Sequence, residues 1–265
     1  MRKLAQKTIR VLSVFAGLAN AWPAAAEDAW TGIYLGGTLG RRFVDAEWET
    51  TCLQFGRGQC PDSGGTFATQ LATNNPAEFH DKSTRFGAYV GAQLQLQNIV
   101  IGIEGDAAKA NNQLKTEGIP GAELAGAGDR GPDNADIRAE WDGSVRGRFG
   151  FLLTPQLLIY ATGGVSWMKV KTSIYCGAEF PSGWCSLENV GKTSRDSETV
   201  RGTTWGGGVE GMIDSHWLLR AEFRRTNFDD MDSLYFDGVL GNADALTATV
   251  DTETDTISIG LAYKF

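Results

Sequence analysis

The sequence predicts an all-β fold: an eight-stranded antiparallel up-and-down transmembrane β-barrel, with short turns at one end and four long loops at the other. Three observations predict it. Apolar residues recur at every second position in eight separate segments, the period of a strand and not of a helix. The links between segments alternate between tight hairpins and long polar stretches. No run reaches the roughly 18 apolar residues of a membrane-spanning helix, although 42% of the 265 residues are hydrophobic.

In chain order, residues 1–26 read as a cleaved secretory signal. Arg2, Lys3, Lys7 and Arg10 precede a short apolar core, Val11–Ala21, and the small residues Ala24-Ala25-Ala26. The barrel domain is then 27–265. Losing those four basic residues takes the net charge from −8 to −12, a poor surface for nucleic acid, which needs basic patches.

The eight segments are 30–43, 83–96, 99–110, 137–153, 157–171, 200–213, 217–228 and 250–265. Each meets or exceeds the 9–11 or so residues that a tilted strand needs to cross a bilayer. In the first, WTGIYLGGTLGRRF, the rhythm breaks at Arg41-Arg42. Gln97-Asn98, Thr154-Pro155-Gln156 and Asp214-Ser215-His216 make the three hairpins. The long links, 49–82, 111–136, 172–199 and 229–249, hold all four cysteines. An even strand count with loops sorted by length is the outer-membrane pattern, and it puts both termini on the periplasmic, short-turn side. Glycine, at 34 residues, is well above its usual share and sits inside the segments, where Gly36-Gly37, Gly163-Gly164 and Gly206-Gly207-Gly208 let strands bend and aromatics lie across them.

Two faces can be written for each segment. In the fourth, Ile137, Ala139, Trp141, Val145, Phe149 and Phe151 oppose Arg138, Glu140, Asp142, Arg146 and Arg148. A soluble barrel would turn the apolar face inward; a membrane barrel inverts it. Inversion is favoured by two aromatic levels on the apolar face: Trp141, Trp167 and Trp205 toward the loops, and Trp217, Phe149, Phe151, Tyr263 and Phe265 toward the turns. The opposite face then collects Glu104, Asp106, Glu140, Asp142, Glu210 and Glu222 against Arg85, Arg138, Arg146, Arg148, Arg220 and Arg224. This expected lumen has six charges of each sign. A lumen this narrow is filled by side chains, so a packed ionic network is favoured over a conducting one.

In an oxidising compartment, Cys52–Cys60 and Cys176–Cys185 are expected as disulfides; a four-cysteine zinc site lacks the C-x2-C spacing. The two histidines, His80 and His216, fall at opposite ends of the barrel, so no acid–base pair for catalysis is expected. The loop acids Asp229, Asp230, Asp232, Asp237, Asp251, Glu253 and Asp255 read as a solvated rim rather than a cation site. No cofactor is expected.

The residues also resemble a family, the outer-membrane immunogenic or "porin family" proteins of alphaproteobacteria. WTGIYLGGTLG (30–40) is similar to the family's Trp-x-Gly-x-Tyr-x-Gly-Gly opening. IGIEGD (101–106), LLIYATGGVSW (157–167) and ISIGLAYKF (257–265) look like its third, fifth and closing strands. The loop cysteines depart from that pattern. The resemblance implies an eight-stranded, surface-exposed barrel that supports the envelope, with no enzymatic activity. It also implies that Phe265 is the aromatic ending read by the barrel-assembly machinery. Other expected partners are outer-membrane lipid and lipopolysaccharide, with a host or environmental ligand open for the loops. The rival readings are a small passive channel, a loop-mediated binder and a soluble periplasmic barrel.

Overall fold

The computed structural model describes residues 29–54, 74–122, 133–177, 191–236 and 245–265. The expected signal segment, Cys60, Cys185 and Asp237 lie outside the described residues. The elements are β1 (Gly32–Gln54), β2 (Ala77–Leu96), β3 (Ile99–Glu117), β4 (Asn134–Thr154), β5 (Leu157–Cys176), β6 (Lys192–Met212), β7 (Trp217–Phe228), β8 (Met231–Tyr235) and β9 (Ala245–Lys264). Each strand from β1 to β6 pairs antiparallel with the next, β7 pairs with β9, and β9 returns to β1, from Tyr34↔Lys264 to Gln54↔Ala245, which closes the ring. Both β7 and β8 lie on β9. Between the pairs Asn227↔Glu253 and Met231↔Val250 one side advances four residues and the other three. β8 is therefore β7 continued past a one-residue bulge at Asp229-Asp230, and the ring has eight staves.

The strands run much further into the expected long links than the sequence reading placed them. Seven of them exceed the span a bilayer requires by about twofold. The reason is a change of polarity along strands whose side chains keep the same alternation. In β9 the outward row begins Phe265, Tyr263, Leu261, Ile259 and Ile257, then becomes Asp255, Glu253 and Asp251. The inward row is Ala262, Gly260, Ser258, Thr256, Thr254 and Thr252, then Val250, Ala248 and Leu246. β1 does the same: Ile33, Leu35 and Leu39 face out until Asp45, Glu47 and Glu49, while Tyr34 and Arg42 face in until Val44, Ala46 and Trp48. The break at Arg41-Arg42 is the changeover, not an irregularity of the strand. The lower storey is apolar outside and charged inside; the upper storey is the reverse. Both geometries weighed from the sequence are present, one above the other.

The apolar outer row of β9 spans about 27 Å along the strand at ~3.4 Å per residue. A tilt of ~40° reduces this to about 21 Å of height, close to the ~25 Å band of a membrane barrel. The upper storey has a packed core in which Trp48 stacks on Tyr235 at 5.6 Å, and Leu53, Phe79, Ile137, Met168, Val170 and Leu246 fill the space around them. At the short-turn end a second apolar cluster holds Trp30, Tyr34, Leu152, Leu158, Met212 and Leu218. Trp30 reaches across the mouth: its indole N–H donates to the Pro155 carbonyl in the β4–β5 turn at 3.0 Å, and its backbone N–H donates to Gln95 Oε1.

β4 corrects the expected lumen. Its pairing shifts by one residue between Ala139 and Asp142 against β5, and Glu140 and Trp141 follow one another on the outer face. Above that slip the inward positions are Ile137 and Ala139. Arg138 and Glu140, expected inside, lie outside, with side chains 53% and 35% exposed. A bulge inverts the two-residue alternation beyond it, so counting every second residue through it misplaces both charges.

Candidate functional site: an ionic lumen between two apolar seals

The other ten charges expected inside are there. Arg85, Glu104, Asp106, Asp142, Arg146, Arg148, Glu210, Arg220, Glu222 and Arg224 all point inward with side chains at most 6% exposed. The upper hub is Asp142, which accepts from Arg42, Arg85 and Arg224. Asp106 accepts from Arg85 at 2.7 Å and Arg224 at 2.9 Å, and also from the Ser144 hydroxyl. The central hub is Arg146, donating to Glu104 and to Glu222 at 2.7 Å each. Arg220 donates to the second oxygen of Glu104. Arg148 Nη2 lies 2.9 Å from Glu210 Oε1, but off the N–H direction, so neither atom has a well-aligned hydrogen bond.

Arg42 was not foreseen. It is 1% exposed, and it donates to Asn112 Oδ1, Asp142 Oδ2 and the Ala139 carbonyl. The signal was available: Arg42 shares its parity with Tyr34, Thr38 and Gly40 on β1. With Arg138 and Glu140 outside and Arg42 inside, the described lumen holds six guanidinium groups and five carboxylates rather than six of each.

Three tyrosines, also unforeseen, complete the packing. Each lies across a glycine directly opposite on the neighbouring strand: Tyr34 on Gly91, Tyr89 on Gly36, and Tyr160 on Gly208. A Cβ at Gly36 would sit 2.6 Å from Tyr89 Cζ and 2.5 Å from the Leu261 carbonyl, so only glycine leaves room for the ring. The tyrosines carry charge as well as volume. Tyr34 and Tyr160 donate at 2.9 Å to Glu104 and Glu222. The Arg220 and Arg148 guanidinium groups lie 3.5 and 3.9 Å over the Tyr89 and Tyr160 rings, within cation–π range.

Chemically, the arrangement spans the barrel with buried, paired charge, the Arg148–Glu210 pair lacking an aligned hydrogen bond. Such pairs cost desolvation that their attraction only offsets when every partner is in place, so they specify register more than they add stability. Apolar side chains flank the network at both ends of the described barrel.

The eight girdle residues all face outward, from Tyr263 at 36% exposed to Phe265 at 72%. At the turns, Tyr263 meets Trp217 and Phe265 edge-on, and the Phe265 backbone N–H donates to the Ile33 carbonyl across the closing seam. Neither Cys52 nor Cys176 is a free thiol; Cys60 and Cys185 lie outside the described residues. His80 Nδ1 donates to Asp45 Oδ1 at 2.6 Å on the upper rim, not to its neighbour Asp81, and His216 stacks on Tyr263 at the other end. Among the described residues, no group of three or more His, Cys, Asp or Glu side chains is placed to hold a metal ion. Asp251 on the rim has its carboxyl raised above the usual range by partial burial and by Asp230.

The chain matches the family model described as "Outer membrane protein beta-barrel domain" over residues 12–265. It is 29% identical over 185 residues to the 31 kDa outer-membrane immunogenic protein of Brucella melitensis, covering 68% of this chain and 65% of that one. It is 23% identical over 205 residues to the 22 kDa outer membrane protein of Rhizobium leguminosarum bv. viciae, covering 76% and 77%. The chain thus spans about two thirds of the length of such relatives. Among solved structures, the outer membrane protein OprG of Pseudomonas aeruginosa superposes with a TM-score of 0.52 at 15% identity, over 89% of this chain and 96% of that one. That likeness is one of fold.

Proposed function

Because the chain belongs to the outer membrane protein β-barrel domain family, we propose that it is a structural barrel of the Gram-negative outer membrane with a closed lumen. One observation carries the reading: the ionic network lies between two apolar plugs, the Trp48–Tyr235 core above and the Trp30 cluster below. A conducting barrel of eight staves would need polar side chains and water along its whole length, and here the polar stretch is confined to the middle. The network ties β1 to β7 into one wall, since Asp142 on β4 holds arginines from β1, β2 and β7. Its work is to hold shape and register under lateral pressure, which supports envelope integrity, and no side chain is assigned a catalytic role.

The test is single-channel recording of the purified, folded protein in planar bilayers. The expected record is silent for the wild type. Long-lived openings of uniform size that vanish in Arg146→Met would sink the closed-barrel reading.

A further inference from the structure

The ring of strands is complete only in its lower storey. β2 and β3 pair from Leu96↔Ile99 up to Arg85↔Ala110, and above that point no ladder pair joins them among the described residues. Both strands nevertheless run on. Residues 77–84 of β2 stay paired to β1, and residues 112–117 of β3 stay paired to β4. β6 and β8 likewise share no ladder among the described residues. The upper storey is thus two four-stranded sheets, β8–β9–β1–β2 and β3–β4–β5–β6, facing each other across the upper core.

The two seams differ. Backbone groups cross the β6–β8 seam: the Asp229 N–H donates to the Arg201 carbonyl at 2.7 Å, and the Phe236 N–H donates to Ser194 Oγ at 3.2 Å. The β2–β3 seam is bridged at its foot by side chains. Asp81 Oδ2 accepts from the Gln113 backbone N–H and from Asn112 Nδ2 at 3.0 Å each, and the Ser83 hydroxyl donates to Asn112 Oδ1. Asp81 stands there in place of a neighbouring strand's carbonyl. Above it a notch of about 690 Å³ lies between residues 77–80 and residues 113–116. In both stretches every second residue turns its N–H and C=O toward the neighbour it lacks, so one added strand would pair with both edges. Four residues a side is about 13 Å at ~3.3 Å per residue. Phe79 and Leu114 are the buried lining, while Glu78, His80 and Lys115 stand on the outer rim.

The wall beside the notch is acidic. Glu78, Glu47 and Asp251 lie directly opposite one another across β2, β1 and β9, and Asp45 lies opposite Glu253 in the next row. Like charges so placed repel. These five carboxylates line a hollow of about 240 Å³ that shares Glu78 and His80 with the notch. The cations against them are His80, between Asp45 and Glu78, and Arg225 on Glu253, with Lys82 two positions below His80. We infer that the notch takes an extended, cationic segment of another protein as an added strand between β2 and β3. Its backbone ladders to both edges, a small apolar side chain lies over Phe79 and Leu114, and its outward Lys or Arg side chains reach the carboxylates of β2 and β1. The edges supply affinity and the acidic hollow selects charge. The inference rests on the long-loop end facing outside and not on the closed lumen, so a conducting protein would leave it standing.

The experiment titrates the folded protein in non-ionic detergent with a fluorescent peptide of alternating Lys and Val, read by anisotropy and by amide hydrogen exchange. The peptide should bind and slow exchange at residues 77–80 and 113–116, and not along the β6–β8 seam. The same peptide N-methylated at every second residue keeps its charge but loses its donors, and it should bind at least about tenfold more weakly. A Glu-Val peptide should bind more weakly still. The variant Glu47→Gln/Glu78→Gln/Asp251→Asn should weaken the Lys-Val peptide about tenfold, and a heat-dependent gel shift establishes that it is folded. Four results would overturn the inference. They are no binding of the Lys-Val peptide, equal binding of the N-methylated or Glu-Val peptide, equal binding by the folded triple variant, and notch amides already protected in the free protein by the chain's own residues or a second copy.

Discussion

At the scale of single residues, the lumen predicts sharp contrasts between neighbours. Arg146→Ala leaves Glu104 and Glu222 buried without their shared partner and should cost about 3–5 kcal/mol, whereas Arg138→Ala removes a half-exposed guanidinium from the buried Asp136, which keeps its bond from Gln113 Nε2 at 2.6 Å, and should cost about 1–2 kcal/mol. Urea midpoints of the refolded protein in lipid vesicles measure both. The adjacent glycines at 36 and 37 make a second contrast. Alanine at Gly36 would strike Tyr89 and the Leu261 carbonyl and should destabilise by about 1–3 kcal/mol, while at Gly37 the nearest atom is 3.7 Å away and the change should stay within about 0.5 kcal/mol. In the β6–β7 turn, the backbone N–H groups of His216 and Trp217 hold the Asp214 carboxyl below its usual range. A lowered carboxyl contributes stability above its unfolded pKa of about 3.9 that is lost as the pH falls through the folded value. Asp214→Asn should therefore be less stable than the wild type at neutral pH, with the gap closing in acid. The charge identities inside the barrel were readable from alternation alone. Arg138 and Glu140 were not, because the bulge that turns them outward leaves no mark in residue type.

At the scale of elements, the strand that changes polarity predicts a position-dependent response along one face. Leu261→Arg places a cation against lipid near mid-depth and should cost about 2–4 kcal/mol. Asp251→Arg, on the same outward row of β9, should stay within about 0.5 kcal/mol because that position faces water. Equilibrium unfolding of the two variants in the same vesicles separates them. The count of staves and the three hairpins were legible because the lower storey keeps a strict apolar row. The lengths were not. Segments such as Ala245–Thr249 and Met231–Tyr235 have apolar residues on the face that is polar lower down, and with Asp, Thr and Ser between them they have the composition of a loop. Only pairing with a partner strand distinguishes them from one, and pairing is not local information.

At the scale of the whole molecule, the eight-stave ring divides its six described tryptophans between two environments. Trp141, Trp167, Trp205 and Trp217 face outward on the band, while Trp30 and Trp48 are sealed inside the barrel. Single-tryptophan proteins in vesicles with brominated acyl chains should be quenched strongly for the first four and weakly for the last two. Strong quenching of the Trp48 protein would mean that the upper storey is immersed.

The reversal of polarity along each stave also acts as a waterline. One two-residue step downward from Ile257 would carry Asp255 into hydrocarbon, and one step upward would lift an aliphatic row into water. A helix facing a thicker or thinner bilayer can tilt to compensate. A closed ring whose interior is cross-tied by six arginines has no such freedom, so any mismatch must be absorbed by the surrounding lipid. The protein should then behave as a gauge of fixed draught, drawing the local bilayer to its own thickness and gathering lipids of matching length around it.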